Sequence, residues 1–187
     1  MEDVLSKDHI REIALIHEKF ANMASKSLSE QLRSKITMKI GAVDQFCMGD
    51  FFRSIPSSTI FGIINMEPLN GIAIIGIDLS TIFAIIDKMC GESLKDAWDE
   101  FTVIEKKAVE DVYCTILDDL HKAWSEVINL QPRLIKIETD PKSIKNISNE
   151  EWVVLVILEP NILGVERMIN ICFPYNTIES ILEKLLL

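Results

Sequence analysis

Two stretches of this sequence are versions of one another at a fixed distance, and this limits the fold more than any other feature. IDLSTIFAIIDKM, beginning at Ile77, returns near the end as CFPYNTIESILEKL. At an offset of 96 residues Thr81 falls on Thr177, Ile82 on Ile178, Ile85 on Ile181, Ile86 on Leu182 and Lys88 on Lys184. Each copy passes from an alternating apolar run through a small polar residue, Ser80 or Asn176, into an amphipathic helix. Ser and Asn suit an N-cap because their side chains accept from unpaired first-turn N–H groups. The same offset lays residues 6–40 on residues 102–137, both long helical patterns that run into a short strand. A chain written twice predicts one pseudo-twofold domain over residues 1–187, made of repeats 6–91 and 102–187, rather than a solenoid.

The periodicities sketch the elements. Ile13, Ile16, Phe20, Met23, Ala24 and Leu32 form a helical stripe within residues 8–33, and Ile36, Met38 and Ile40 alternate as a half-buried strand. Residues 43–58 read as a compact apolar loop whose Phe46, Phe51 and Phe52 pack onto the core. Residues 59–66 and 71–78 form a hairpin so continuously apolar that helices must cover both faces of its sheet. A helix at 80–89 ends at Gly91 as a left-handed cap, and the irregular segment 92–100 joins the halves. The second long helix, 103–128, opens with Thr102 and Glu105 at capping-box spacing. Ser6 holds the matching place without the Glu, which predicts a looser start. Ile104, Ala108, Val112, Ile116, Ala123 and Val127 face the core, and Asp118 and Asp119 mark the wet side. Strands at 134–137, 152–158 and 168–173 and a closing helix at 176–187 follow. The fold class is α/β, with a central, largely antiparallel sheet of about six strands and two long helices.

Composition removes several functions. The 187 residues are 48% hydrophobic, enough for one core, and carry a net charge of −10. That charge opposes non-specific nucleic-acid binding and docking on an anionic membrane. No run reaches the roughly 20 apolar residues of a membrane span, and the start lacks the pattern of a signal peptide, so the expected location is cytoplasmic. Cys47, Cys90, Cys114 and Cys172 are far apart and read as free thiols in apolar settings. His9, His17 and His121 have no partner at metal-ligand spacing, and no phosphate-binding glycine motif or nucleophile elbow occurs. No catalytic residue, metal or cofactor is expected.

Three further stretches carry a resemblance: FCMGDFFRSIPSSTIFGIINMEPLNGIAIIGID from Phe46, FTVIEKKAVEDV from Phe101 and INICFPYNTIESILEKL from Ile169. Across residues 6–187 the chain resembles the middle domain of the flagellar motor switch family FliM. The resemblance implies a three-layer α/β/α domain related to the CheC and CheX phosphatases. It implies a non-enzymatic subunit of the cytoplasmic C-ring that binds FliG and neighbouring FliM copies and relays the chemotaxis signal. FliN and phosphorylated CheY would be met through parts of the full-length protein outside this chain.

The family's FliG-contacting loop reads G-G-x-G, and here its position holds Cys90, Gly91, Glu92, Ser93 and Leu94. Only Gly91 matches the motif. The turn Pro68, Leu69, Asn70 and Gly71 is a possible neighbouring contact. The alternative is a CheC-like phosphatase acting on phosphorylated CheY. Those enzymes use a helical Glu with an Asn three residues on, whereas here Asp111 is followed by Cys114 and Glu18 by Ala21. Lateral contacts between copies would use the polar faces of the long helices, with Glu12, Lys19, Lys26 and Glu30 meeting Glu110, Asp118, Asp119 and Lys122 of a neighbour.

Overall fold

The computed structural model describes residues 4–91, 95, 97–145 and 147–187. Its chain order is α1 (Lys7–Leu32), β1 (Ile36–Cys47), α2 (Met48–Ser54), β2 (Thr59–Glu67), β3 (Ile72–Asp78), α3 (Leu79–Cys90), α4 (Val103–Trp124), β4 (Gln131–Glu138), β5 (Trp152–Ile162), β6 (Val165–Glu166), β7 (Ile169–Pro174), α5 (Tyr175–Ile178) and α6 (Leu182–Leu185). The strands form one antiparallel sheet in the order β1-β5-β7-β3-β2-β4, and the two-residue β6 hairpins onto β5. The halves interleave: β1 lies on β5, and β4 lies on β2. Advancing each strand by half a chain turns this order into its own reverse.

Side-chain alternation splits the sheet between two cores. Ile75, Ile77, Val154, Val156, Ile171 and Phe173 face α1, α3, α4 and the closing helical segment. Phe61, Ile63, Ile74, Val153 and Cys172 face Met48 and Phe51 of α2 and Ile144 of the β4–β5 connection. The α/β/α layering is therefore present, with a thin second helical layer.

Both long helices start on reciprocal caps. Thr102 and Glu105 form the expected capping box. Ser6 has one too: its hydroxyl accepts from the His9 N–H at 3.2 Å while His9 Nδ1 accepts from the Ser6 N–H at 3.3 Å. The expected looser start is thus corrected, because an imidazole replaces the missing carboxylate. Serines from α1 then hold the edge strand. The Ile36 and Met38 N–H groups donate to Ser29 Oγ and Ser25 Oγ, each at 2.8 Å. The outer donors of this edge strand, partly buried beneath α1, are occupied in this way.

Other expectations need correction. Residues 43–58 are no loop: β1 pairs with β5 as far as Cys47, and α2 follows. Phe51 is buried and Phe52 packs against Phe61, but Phe46, on the exposed stretch of the edge strand, is 37% exposed. The cap of α3 is Asp78, whose carboxylate accepts from the Ser80 and Thr81 hydroxyls, and the closing helix is capped at Pro174, not Asn176. Cys90 and Cys114 are exposed; only Cys172 is buried. Asp119 is buried, facing α1, where burial holds its carboxyl above the usual range against a Ser27 hydrogen bond.

Candidate functional site

The C-terminal end of α3 and the N-terminal end of α4 meet at one end of the molecule. Buried Ile82, Ala84, Ile85 and Ile86 seat α3, and Phe83 meets Phe101 edge-on at 5.6 Å. Trp98 meets Phe101 at the same distance, and the Lys106 ammonium sits 5.5 Å above the indole. Lys95 Nζ donates to Glu105 at 2.8 Å. That bond, with the one from the Thr102 N–H, holds the Glu105 carboxyl below its usual range. Desolvation and the Glu105 charge both raise the Cys90 thiol, in keeping with the packing of α3 on α4.

Of the expected loop residues, Cys90 is exposed and Gly91 caps α3 at φ 90° and ψ 175°. This is positive-φ extended backbone, which only glycine adopts readily, and not the left-handed helical cap expected. A Cβ there would meet no atom of the described residues within 4 Å, and the positive φ is what favours glycine. Glu92, Ser93 and Leu94 lie outside the described residues.

Sequence reasoning missed an apolar pair beside this end. Val103 is 84% exposed and Ile104 is 76% exposed. Periodicity puts Ile104 on the stripe of Ala108, Val112 and Ile116, but the stripe is buried only from Ala108 onward. The available signal was the capping box itself, which places both residues in an unpacked first turn.

The turn Pro68, Leu69, Asn70 and Gly71 has other anchors. It follows a cis Glu67–Pro68 peptide, and Leu69 is buried with its N–H on the Met66 carbonyl at 2.8 Å. Gly71, at φ 143°, lies against Thr177, whose hydroxyl donates to the Ile72 carbonyl at 2.8 Å. The turn is thus tied to α5, and only Pro68, Asn70 and Gly71 are exposed.

The long helices lie side by side. Asp111 pairs with Lys107 at 3.1 Å and is followed three residues on by an exposed Cys114. Ala21, three residues after Glu18, is buried. Neither helix carries a Glu followed three residues on by an Asn. Among the described residues no cluster of three His, Cys, Asp or Glu side chains could hold a metal, and no helix is long and apolar enough to cross a membrane.

With these elements in place, comparison with known proteins is decisive. The sequence profile of the family described as flagellar motor switch protein FliM matches residues 6–187. The chain belongs to the FliM family. It is 40% identical to the FliM of Borreliella burgdorferi over 186 residues, covering 98% of this chain and 53% of that protein. The chain spans about half the length of the curated FliM relatives it matches. Its fold matches the crystal structure of the FliM middle domain from H. pylori with a TM-score of 0.87 and 31% identity, covering 96% of this chain and 99% of that one. A chain in the crystal structure of a FliG–FliM complex from H. pylori matches with a TM-score of 0.87 and 32% identity, over 96% of this chain and all of that one. A CheC-like superfamily protein from Shewanella, at 13% identity and a TM-score of 0.55, shares the fold alone.

Proposed function

We propose that this chain is the switch module of a flagellar rotor subunit, a non-enzymatic element that binds a FliG-type partner and neighbouring copies of itself. The observation that carries this reading is the close structural match to a FliM–FliG crystal structure. The proposed FliG contact is the end of α3, with Cys90, Gly91, Glu92, Ser93 and Leu94, extended by Val103 and Ile104. Pro68, Asn70 and Gly71 are the adjoining surface. The exposed apolar pair beside a conformationally constrained glycine supports this choice, because exposed patches of this kind mark partner surfaces. Contacts to FliN and phosphorylated CheY belong to parts of the relatives that this chain does not span, and the finer location is the cytoplasmic C-ring. The domain is proposed to consist of repeats 6–91 and 102–187, in keeping with the self-reversing strand order.

Lateral association would use the polar faces of α1 and α4 without Asp119, which is buried, and with Lys19 already held by Glu126 at 2.9 Å. The test is a FliG pull-down with Gly91→Ala and Ile104→Glu, each checked by thermal melting. Both substitutions weaken capture while leaving the melt cooperative. Full capture by both folded variants would remove this end as the site. Incubation with phosphorylated CheY leaves phosphate loss at its spontaneous rate; clear acceleration would favour the phosphatase alternative.

A further inference from the structure

The sheet face turned away from α3 and α4 is sealed only in part. At one level of the central strand pair, Ile74 and Cys172 lie beneath α2, with Cys172 Sγ 3.9 Å from Met48 Sδ. At the opposite level the paired residues are Gly76 and Asn170. The 96-residue offset exchanges these levels, so Gly76 stands where the other half has Cys172, and Asn170 where it has Ile74. The half-chain symmetry breaks at this point. One level is packed with apolar atoms, and the other is left with a bare backbone and an amide.

The result is a groove of about 960 Å³. Leu155, Ile157 and Gly76 line its floor, and Phe46, Ile55 and Met168 its walls. Asn170 is only 6% exposed, yet its Oδ1 has no hydrogen-bond partner among the described residues. Arg167, which also lines the groove, donates from one guanidinium nitrogen to Ser80 Oγ at 3.1 Å, while its buried Nε has no such partner. Buried polar groups are nearly always paired, so an acceptor and a donor left over in one groove specify what fits there. The rim adds Asp50, Asp78, Glu159 and Glu166. Lys39 and Arg53 hold Glu159 and Asp50 from outside in exposed ion pairs, which give way cheaply.

We propose that this groove binds an extended segment of a partner protein carrying a lysine or arginine between apolar residues. Both atoms are buried beneath the groove surface, and a peptide backbone that turns the two side chains toward it offers an N–H for Asn170 Oδ1 and a carbonyl for Arg167 Nε, which a simple organic cation cannot. Apolar side chains cover the floor, and the basic one meets the rim carboxylates. The adjacent β5–β6 hairpin exposes Leu163 and Val165, and this extends the apolar surface beyond Met168 as protein-binding faces do. The site is on the opposite face of the sheet from the proposed FliG contact and is independent of it.

The test is selection of a random displayed-peptide library against the full chain, followed by affinity measurement with the enriched synthetic peptides. Enriched sequences place Lys or Arg between apolar residues and bind Gly76→Val and Glu166→Lys at least about tenfold more weakly. Gly76→Val fills the floor, where a Cβ would stand 3.3 Å from Thr59 Cγ2. The exposed Glu166→Lys keeps the test open if that variant does not fold. FliG capture is unchanged in both folded variants. An acidic consensus, equal binding to both variants, or displacement of the peptides by hexylammonium at comparable affinity would overturn the proposal.

Discussion

Ile75 pairs with Ile171 across β3 and β7, and the two residues are 96 apart, the offset at which the halves of the sequence match. Each therefore lies opposite its own counterpart, and the flanking pairs Ile74–Cys172 and Gly76–Asn170 exchange under the same offset. The proposed twofold relation would run through this one pair. Because β1 and β4 are each held by the other half, neither half owns a complete sheet.

A cut between residues 91 and 102 tests that interleaving. Each fragment alone gives a largely unfolded circular dichroism spectrum, and the equimolar mixture regains a cooperative melt. A fragment that melts cooperatively by itself would contradict the shared sheet.

Gly62 is a packing contact between β2 and α4. A Cβ there would stand 2.4 Å from a ring carbon of Tyr113, whose hydroxyl donates to the Ile75 carbonyl at 3.1 Å. Overpacking of this kind costs about 1–3 kcal/mol. Gly62→Ala therefore lowers the melting temperature by roughly 3–10 °C. Tyr113→Leu is destabilising alone, but the double variant loses less than the sum, a coupling that urea unfolding measures directly.

His17 is buried among Phe20, Trp124 and Phe173, with Nδ1 on the Ile13 carbonyl at 2.8 Å. Burial lowers its pKa from 6.5 to about 4. Between these values the unfolded chain binds a proton that the folded chain refuses, so stability is complete above the upper value and is lost as pH falls. The loss is about 3 kcal/mol over the window. Asp119, raised by burial, works in the opposite sense. Urea unfolding at pH 7 and pH 5 should show a shallower pH slope for His17→Leu than for the wild type.

Ser25 and Ser29 hold the outer edge of β1, which α1 partly buries. Replacing both with Ala leaves the Ile36 and Met38 N–H groups without their side-chain acceptors, at a cost of about 1–3 kcal/mol. Hydrogen exchange at these two amides accelerates ahead of the rest of β1. Uniform acceleration along β1 would mean that the serines do not act locally.

Local pattern was readable from the residues. The capping box at Thr102, the stripe through Ile13, Ile16 and Phe20, and the hairpin of β2 and β3 arise from neighbours within a few positions, as does the 96-residue repetition. These features, with the family resemblance, determined the fold class and the expectation of a switch module. What only the tertiary structure decided is which faces met. Periodicity put Ile104 inward and Asp119 outward, and packing reversed both, because a stripe shows only that a side faces something. The segment 43–58 became strand and helix once β5, more than 100 residues away, supplied its hydrogen bonds. Gly76 and Asn170 are unremarkable in the sequence. Register across β3 and β7 makes them adjacent, and long-range backbone pairing, which no local pattern encodes, sets that register.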